Sequence, residues 1–70
     1  KISIDDRIAS IRNILGKQLR FSFSKFLKTA KNRTEVVVNF LAVLELAKQH
    51  ELVFEQDGLF TEIQVVAVKQ

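Results

Sequence analysis

The first part of the chain places apolar residues at helical spacing behind a capping sequence. Ser3 is a helix-capping residue, and the acid Asp6 follows three positions later. The apolar residues that then share one face are Ile4, Ile8, Ile11 and Leu15. This pattern predicts a first helix that ends at Gly16.

Two further capping residues predict two more helices. After a short segment, residues 19–21, that can form a strand, Ser22 can cap a second helix of about two turns. The apolar face of that helix is Phe23, Phe26, Leu27 and Ala30. Asn32 can cap a third helix, with Glu35 at its positive end. We expect this third helix to run to about Gln49.

The last part of the chain has the pattern of a β-hairpin. Residues 52–56 and 63–68 are rich in β-branched and aromatic side chains, and the Asp57-Gly58 pair between them indicates a turn. The predicted order is therefore α-β-α-α-β-β. It corresponds to a small α+β winged-helix domain over residues 1–70, with three helices, a short strand after the first helix and a C-terminal hairpin as the wing.

A rotation of 100° per residue divides the third helix into two arcs. The arc assigned to the core is Val36, Val37, Phe40, Leu41, Val43, Leu44 and Ala47. The opposite arc is Thr34, Glu35, Val38, Asn39, Ala42, Glu45, Leu46 and Gln49. Because Val38, Ala42 and Leu46 lie four residues apart on this outer arc, we expect them to form an exposed apolar stripe beside Asn39. Single apolar residues are also common on ordinary surfaces.

Alternation in the hairpin separates the two faces of its strands. We assign Phe54, Ile63 and Val65 to the core. Val53, Val66 and Val68 are then partly exposed and are further candidates for contact with a partner. Ordinary sheet packing explains them equally well, since β-branched residues are common in strands.

Composition restricts the kinds of function. The 70 residues are 47% hydrophobic and 27% charged, which is typical of one small globular domain. The chain has no Cys and one His, so we expect no disulfide, no metal centre and no cofactor. No apolar stretch approaches the ~20 residues that cross a bilayer. We expect a cytosolic protein, and the first residue, Lys1, suggests a piece excised from a longer one.

Charge is divided along the chain. Eight bases and no acid occur from Arg7 to Arg33, whereas six acids and one base occur from Glu35 to Glu62. A basic half can contact phosphates, so DNA binding through the first two helices is an alternative, although a solvated basic face is commoner. The predicted outer arc of the third helix carries two acidic residues and no Lys or Arg, which makes recognition of DNA base pairs by that helix unfavourable.

Residues that could perform catalysis are isolated from one another. His50 stands at the expected end of the third helix, where it can interact with the helix dipole. Asp5 and Asp6 occupy the start of the first helix, and Ser22 and Ser24 have no neighbouring base. We therefore expect a non-enzymatic domain.

Several segments together resemble a known family. The most specific is Arg33-x-Glu35-Val36-Val37-x-x-Phe40-Leu41-Ala42-x-Leu44-Glu45-Leu46, supported by Phe21-Ser22-Phe23, Phe26-Leu27 and Phe60-Thr61-Glu62-Ile63. Together they resemble the C-terminal winged-helix domain of the ScpA kleisins of bacterial condensin. Thr61 and Glu62 stand where that family usually has Gly and Asp, and His50-Glu51 where a Gly often ends the helix.

The resemblance implies a partner and a role. A kleisin C-terminal domain binds the ATPase head of an SMC subunit and closes the condensin ring in chromosome condensation and segregation. ScpB, the third subunit, binds the middle of the kleisin and is not expected to contact this part. The implied protein is cytoplasmic and nucleoid-associated, with indirect or weak contact to nucleic acid and none to membrane. The expected contacts with the SMC head are Val38, Asn39, Ala42, Leu46, Val53, Val66 and Val68.

Overall fold

The computed structural model describes residues 3–68, so Lys1, Ile2, Lys69 and Gln70 of the predicted domain lie outside the described part. The elements are α1 (Ile4–Lys17), β1 (Arg20–Ser22), α2 (Phe23–Lys28), α3 (Arg33–Lys48), β2 (Leu52–Glu55) and β3 (Gln64–Ala67). This is the predicted α-β-α-α-β-β order, and the small α+β winged-helix prediction is confirmed.

Each helix begins at the capping residue that the sequence predicts. The Asp6 amide donates to Ser3 Oγ at 3.1 Å, and the Lys25 amide donates to Ser22 Oγ at 3.2 Å. The Glu35 amide donates to Asn32 Oδ1 at 2.9 Å. These contacts satisfy backbone donors that have no partner inside the helix.

The two longer helices end close to the predicted positions. Gly16 does not end α1, because the helix includes Lys17 and its C-cap is Gln18 in extended conformation. At the end of α3, His50 has φ 63°, and its amide donates to Ala47 O at 3.0 Å. His50 thus occupies the left-handed position that usually favours glycine after a helix.

The three strands form one antiparallel sheet in the order β1-β3-β2. Val65 in the central strand pairs with Phe21 on one side and Phe54 on the other, so these three side chains lie on the same face. That face turns toward the helices, since Val65 is fully buried. The opposite face carries Val53 and Val66, which pair with each other.

The core lies between the three helices and the inner face of the sheet. Its buried apolar residues are Ile11, Phe26, Ala42, Val43, Leu46, Leu52 and Val65. Val65 was correctly assigned to the core, but Phe54 and Ile63 were not, because each is more than a third exposed. Ile63 lies just before β3, and Phe54 lies toward the end of β2.

Candidate protein-interaction surface

The third helix is turned the opposite way from the prediction. Ala42 and Leu46 are 0% exposed, Asn39 is also 0% exposed, and Val38 is half-buried. Ala42 and Leu46 of the predicted stripe, with Asn39 beside them, therefore lie in the interior, whereas Val38 keeps part of its surface exposed. Ala42, Leu46 and Asn39 are wrong as surface contacts for a partner, and a contact through Val38 stays a prediction.

The physical reason is that α1 packs on this side of α3. Arg7 of α1 lies beside Glu35 of α3, with Arg7 Nη2 and Glu35 Oε1 3.8 Å apart. This pair neutralises an acid that had been taken as a mark of the outer face. Glu45, the second such acid, is half-buried, and Gln49 Nε2 donates to its Oε2 at 2.7 Å.

The arc predicted to be buried is largely exposed. Val37 is 50% exposed, and four other large residues of this arc are 37–42% exposed. We name these residues the α3 face: Val36, Val37, Phe40, Leu41 and Leu44. Of the predicted core arc, only Val43 is fully buried, and Ala47 is half-buried. A contiguous apolar surface of this kind is typical of a protein contact.

The α3 face continues across the molecule as a row of three aromatic rings. The Phe23 ring of α2 lies 5.7 Å from the Phe40 ring, measured between centroids. The same Phe23 ring lies 5.7 Å from Phe54 of β2, in an edge-to-face arrangement. Because Phe40 and Phe54 are both about two-fifths exposed, the row connects the α3 face to the wing.

The other predicted contact residues lie on a different surface. Val53 and Val68 are exposed and Val66 is half-buried, on or beside the outer face of the sheet. Arg20 and Glu55 flank this patch, with Arg20 Nη2 and Glu55 Oε1 3.4 Å apart. Val53 and Phe54 point to opposite sides of β2, so this patch is separate from the aromatic row. The part that these valines play in binding a partner stays a prediction.

Tertiary structure pairs part of the basic half with the acidic half. Three of the eight bases meet acids: Arg7 meets Glu35, Arg12 meets Glu51, and Arg20 meets Glu55. The division of charge along the sequence is therefore partly cancelled in space. DNA binding through the basic half receives no support from this arrangement.

The remaining polar groups include one organised cluster near α2. The pKa of Glu62 lies below its ordinary value because the hydroxyls of Ser22 and Ser24 lie beside its carboxylate and because Lys25 and Lys28 are nearby. Ser24 Oγ lies 3.0 Å from Glu62 Oε2. The Ser24–Glu62 hydrogen bond links α2 to the segment just before β3.

Residues 3–68 contain no group of three or more His, Cys, Asp or Glu side chains that could hold a metal ion. None of the helices in this described range is long and apolar enough to cross a membrane.

Comparison with known proteins gives one consistent family. The family model for segregation and condensation protein ScpA matches residues 1–68. Segregation and condensation protein A of Bacillus pumilus is 36% identical over 66 residues, covering 94% of this chain and 26% of that protein. The Brevibacillus brevis protein of the same name is 38% identical over 63 residues, covering 90% and 25%. The chain thus spans about a quarter of the length of the curated relatives it matches.

Proposed function

The chain belongs to the ScpA family of segregation and condensation proteins, and on this premise we propose that it docks on the ATPase head of an SMC protein. Docking of this kind closes the condensin ring and contributes to chromosome segregation and condensation. The domain acts by binding and performs no reaction, since the ATPase chemistry belongs to the SMC head.

The α3 face is the observation that carries this proposal. A winged-helix domain that reads DNA needs Arg, Lys, Asn or Gln on the outward side of its third helix. Here the middle of that side is apolar, and bases occur only at its two ends, Arg33 and Lys48. Burying such a surface against an apolar protein surface is favourable because it removes apolar area from water. The same surface offers no hydrogen bond to a DNA base pair.

Leu41 and Leu44 form the centre of the proposed contact. Both are more than two-fifths exposed although they are large aliphatic side chains, and both lie in a well-capped helix that fixes their positions. Side chains held on a preformed helix lose less conformational entropy on binding than side chains of a mobile loop, which favours affinity.

The proposal also defines what the domain does not do. ScpB binds elsewhere on the complete kleisin, and contact with nucleic acid is indirect. The protein acts in the cytoplasm at the nucleoid, where its SMC partner holds the chromosome.

The test compares two single substitutions that place the same charge on different surfaces. We measure binding of purified SMC head to the full-length protein carrying this domain, by calorimetry. Leu41→Arg should weaken binding at least 100-fold, because it introduces an unpaired charge into an apolar contact. Val53→Arg, on the outer face of the sheet, tests the other predicted surface and should change the dissociation constant less than threefold.

Each outcome decides one point. If the wild-type protein does not bind the head, docking itself is wrong. If Val53→Arg abolishes binding and Leu41→Arg does not, the contact lies on the sheet with Val53, Val66 and Val68, and the α3 face is wrong. The earlier candidate Leu46 cannot serve in this test, since its burial means that an Arg there would disrupt the fold.

A further inference from the structure

Two large apolar side chains at the tip of the wing have no role in the fold. Leu59 is 87% exposed and Phe60 is 101% exposed, which makes them the two most exposed large hydrophobic residues of the described chain. They lie in the connection between β2 and β3, where turns ordinarily use Gly, Asn, Asp or Ser. Packing within this domain therefore does not explain them.

The backbone of the tip is held in one conformation. Thr61 Oγ1 donates to Gly58 O at 2.8 Å and accepts from the Gly58 amide at 3.1 Å. Gln56 Nε2 donates to Thr61 O at 2.8 Å and ties the two sides of the turn together. Thr61, which departs from the glycine usual in the resembling family, thus closes the turn through its hydroxyl.

Phe60 itself lies in the left-handed region, with φ 64°. A residue with a Cβ atom adopts this conformation at an energetic cost, which glycine would avoid. A strained position that presents a bulky aromatic ring to solvent is a feature that function explains better than folding does.

The charge around the tip selects the kind of partner. From Glu51 to Val68 the chain carries four acids, Glu51, Glu55, Asp57 and Glu62, and no Lys or Arg. Phosphates of a duplex or of an anionic membrane would be repelled by this hairpin. A protein pocket with an apolar floor and a basic rim is complementary to it.

The tip is also connected to the α3 face. The aromatic row passes from Phe40 through Phe23 to Phe54, and Phe54 lies in the strand that leads into the tip. One partner that covers the α3 face and follows this row therefore meets the wing, and then its tip.

We propose that Leu59 and Phe60 form a second anchor for the SMC head, inserting into an apolar pocket whose rim is basic. This inference rests on the proposed docking function and adds a site to it. Two anchors on one rigid domain fix its orientation on the head, which a single helical face does not do.

The experiment measures affinity of the isolated SMC head for the full-length protein with three variants. The double variant Leu59→Ser/Phe60→Ser should raise the dissociation constant at least tenfold. Leu19→Ser is the matched control, because Leu19 is 52% exposed and lies beside Ala67 at the end of β3 that is opposite to the tip. Its dissociation constant should stay within threefold of wild type. Thermal unfolding of the tip variant should match wild type, since neither side chain packs on the domain.

A third variant tests the basic rim. Asp57→Lys should weaken binding at low ionic strength, and the difference from wild type should shrink as salt rises, because salt screens exposed charges. A salt-independent effect, or none, would contradict a basic rim.

The outcomes separate this inference from the proposed function. If wild type binds, Leu41→Arg does not, and the tip variant binds like wild type, the tip anchor is wrong while docking stands. If wild type fails to bind the head, the docking function is wrong, and the proposed contact of the tip with the head is wrong as well. If the tip variant keeps head binding but loses binding to a DNA duplex at low salt, Phe60 is a DNA wedge and the inference is overturned.

Discussion

Arg12 and Glu51 are joined by two parallel hydrogen bonds across 39 residues of sequence. Arg12 Nε donates to Glu51 Oε1 at 2.9 Å, and Arg12 Nη2 donates to Oε2 at 2.7 Å. The pair links the middle of α1 to the residue just before β2, so it ties the first helix to the base of the wing.

The Arg12–Glu51 pair predicts a dependence of stability on pH. Hydrogen bonding from Arg12 holds the pKa of Glu51 below its ordinary value. The folded state therefore binds this proton less readily than the unfolded chain. The contribution of the pair is complete above the unfolded pKa and is lost as pH falls through the lower folded pKa. Wild type should exceed Glu51→Gln in free energy of unfolding at pH 7, and the difference should vanish in acid.

Urea denaturation at a series of pH values measures this difference. Arg12→Gln is the matching variant and should show the same loss at pH 7, since either substitution breaks the same pair. The double variant Arg12→Gln/Glu51→Gln should lose less free energy of unfolding than the sum of the two single losses, because each single substitution already breaks the pair. An equal difference between wild type and Glu51→Gln at pH 7 and in strong acid would contradict this account.

The orientation of α3 predicts losses of stability of different size for two leucines two positions apart. Leu46→Ala should lower the free energy of unfolding by about 2–5 kcal/mol, because it removes a buried side chain and leaves a cavity. Leu44→Ala should cost about 1 kcal/mol or less, because Leu44 is 41% exposed. Denaturation followed by circular dichroism measures both. The reverse ranking would mean that the predicted core arc was right and the orientation found here is wrong.

Asn39 predicts a stabilising substitution. Its side chain is fully buried between α3 and the rest of the core, and within residues 3–68 neither its Nδ2 nor its Oδ1 has a hydrogen-bond partner. A buried polar group without a partner costs about 1–3 kcal/mol. Asn39→Leu, which keeps the number and branching of the side-chain heavy atoms, should raise the free energy of unfolding by about 1 kcal/mol or more.

The control for this prediction is Asn32, the asparagine that caps the start of the same helix. Asn32 caps α3 through its side chain, so Asn32→Ala should lower stability by about 0.5–2 kcal/mol. A loss of stability in Asn39→Leu would show that the buried amide contributes to folding after all.

Sequence reasoning missed the residues of both proposed contacts for different reasons. The residues of the α3 face form one apolar arc, and helix periodicity predicts that such an arc faces inward, which is the usual outcome in a domain without a partner. Leu59 and Phe60 had a visible signal, two large apolar residues directly after the Asp57-Gly58 turn, where a solvent-exposed loop rarely needs them.

The sequence by itself determined the order of elements, because caps, breakers and turn residues act within a few positions of themselves. Ser3, Ser22 and Asn32 start their helices through contacts with amides three residues away, whatever the rest of the chain does. The family likewise follows from the sequence, since the 36% identity over 66 residues is found by comparing sequences and needs no structure.

Only the tertiary structure decided which side of α3 faces the core. Helix periodicity gives two candidate faces, and in α3 both carry apolar residues at helical spacing, so burial of either face was possible. The choice came from α1, which places Arg7 beside Glu35 and leaves Val37, Phe40 and Leu41 toward solvent. Packing between elements distant in sequence is a property of the whole chain, and no local pattern contains it.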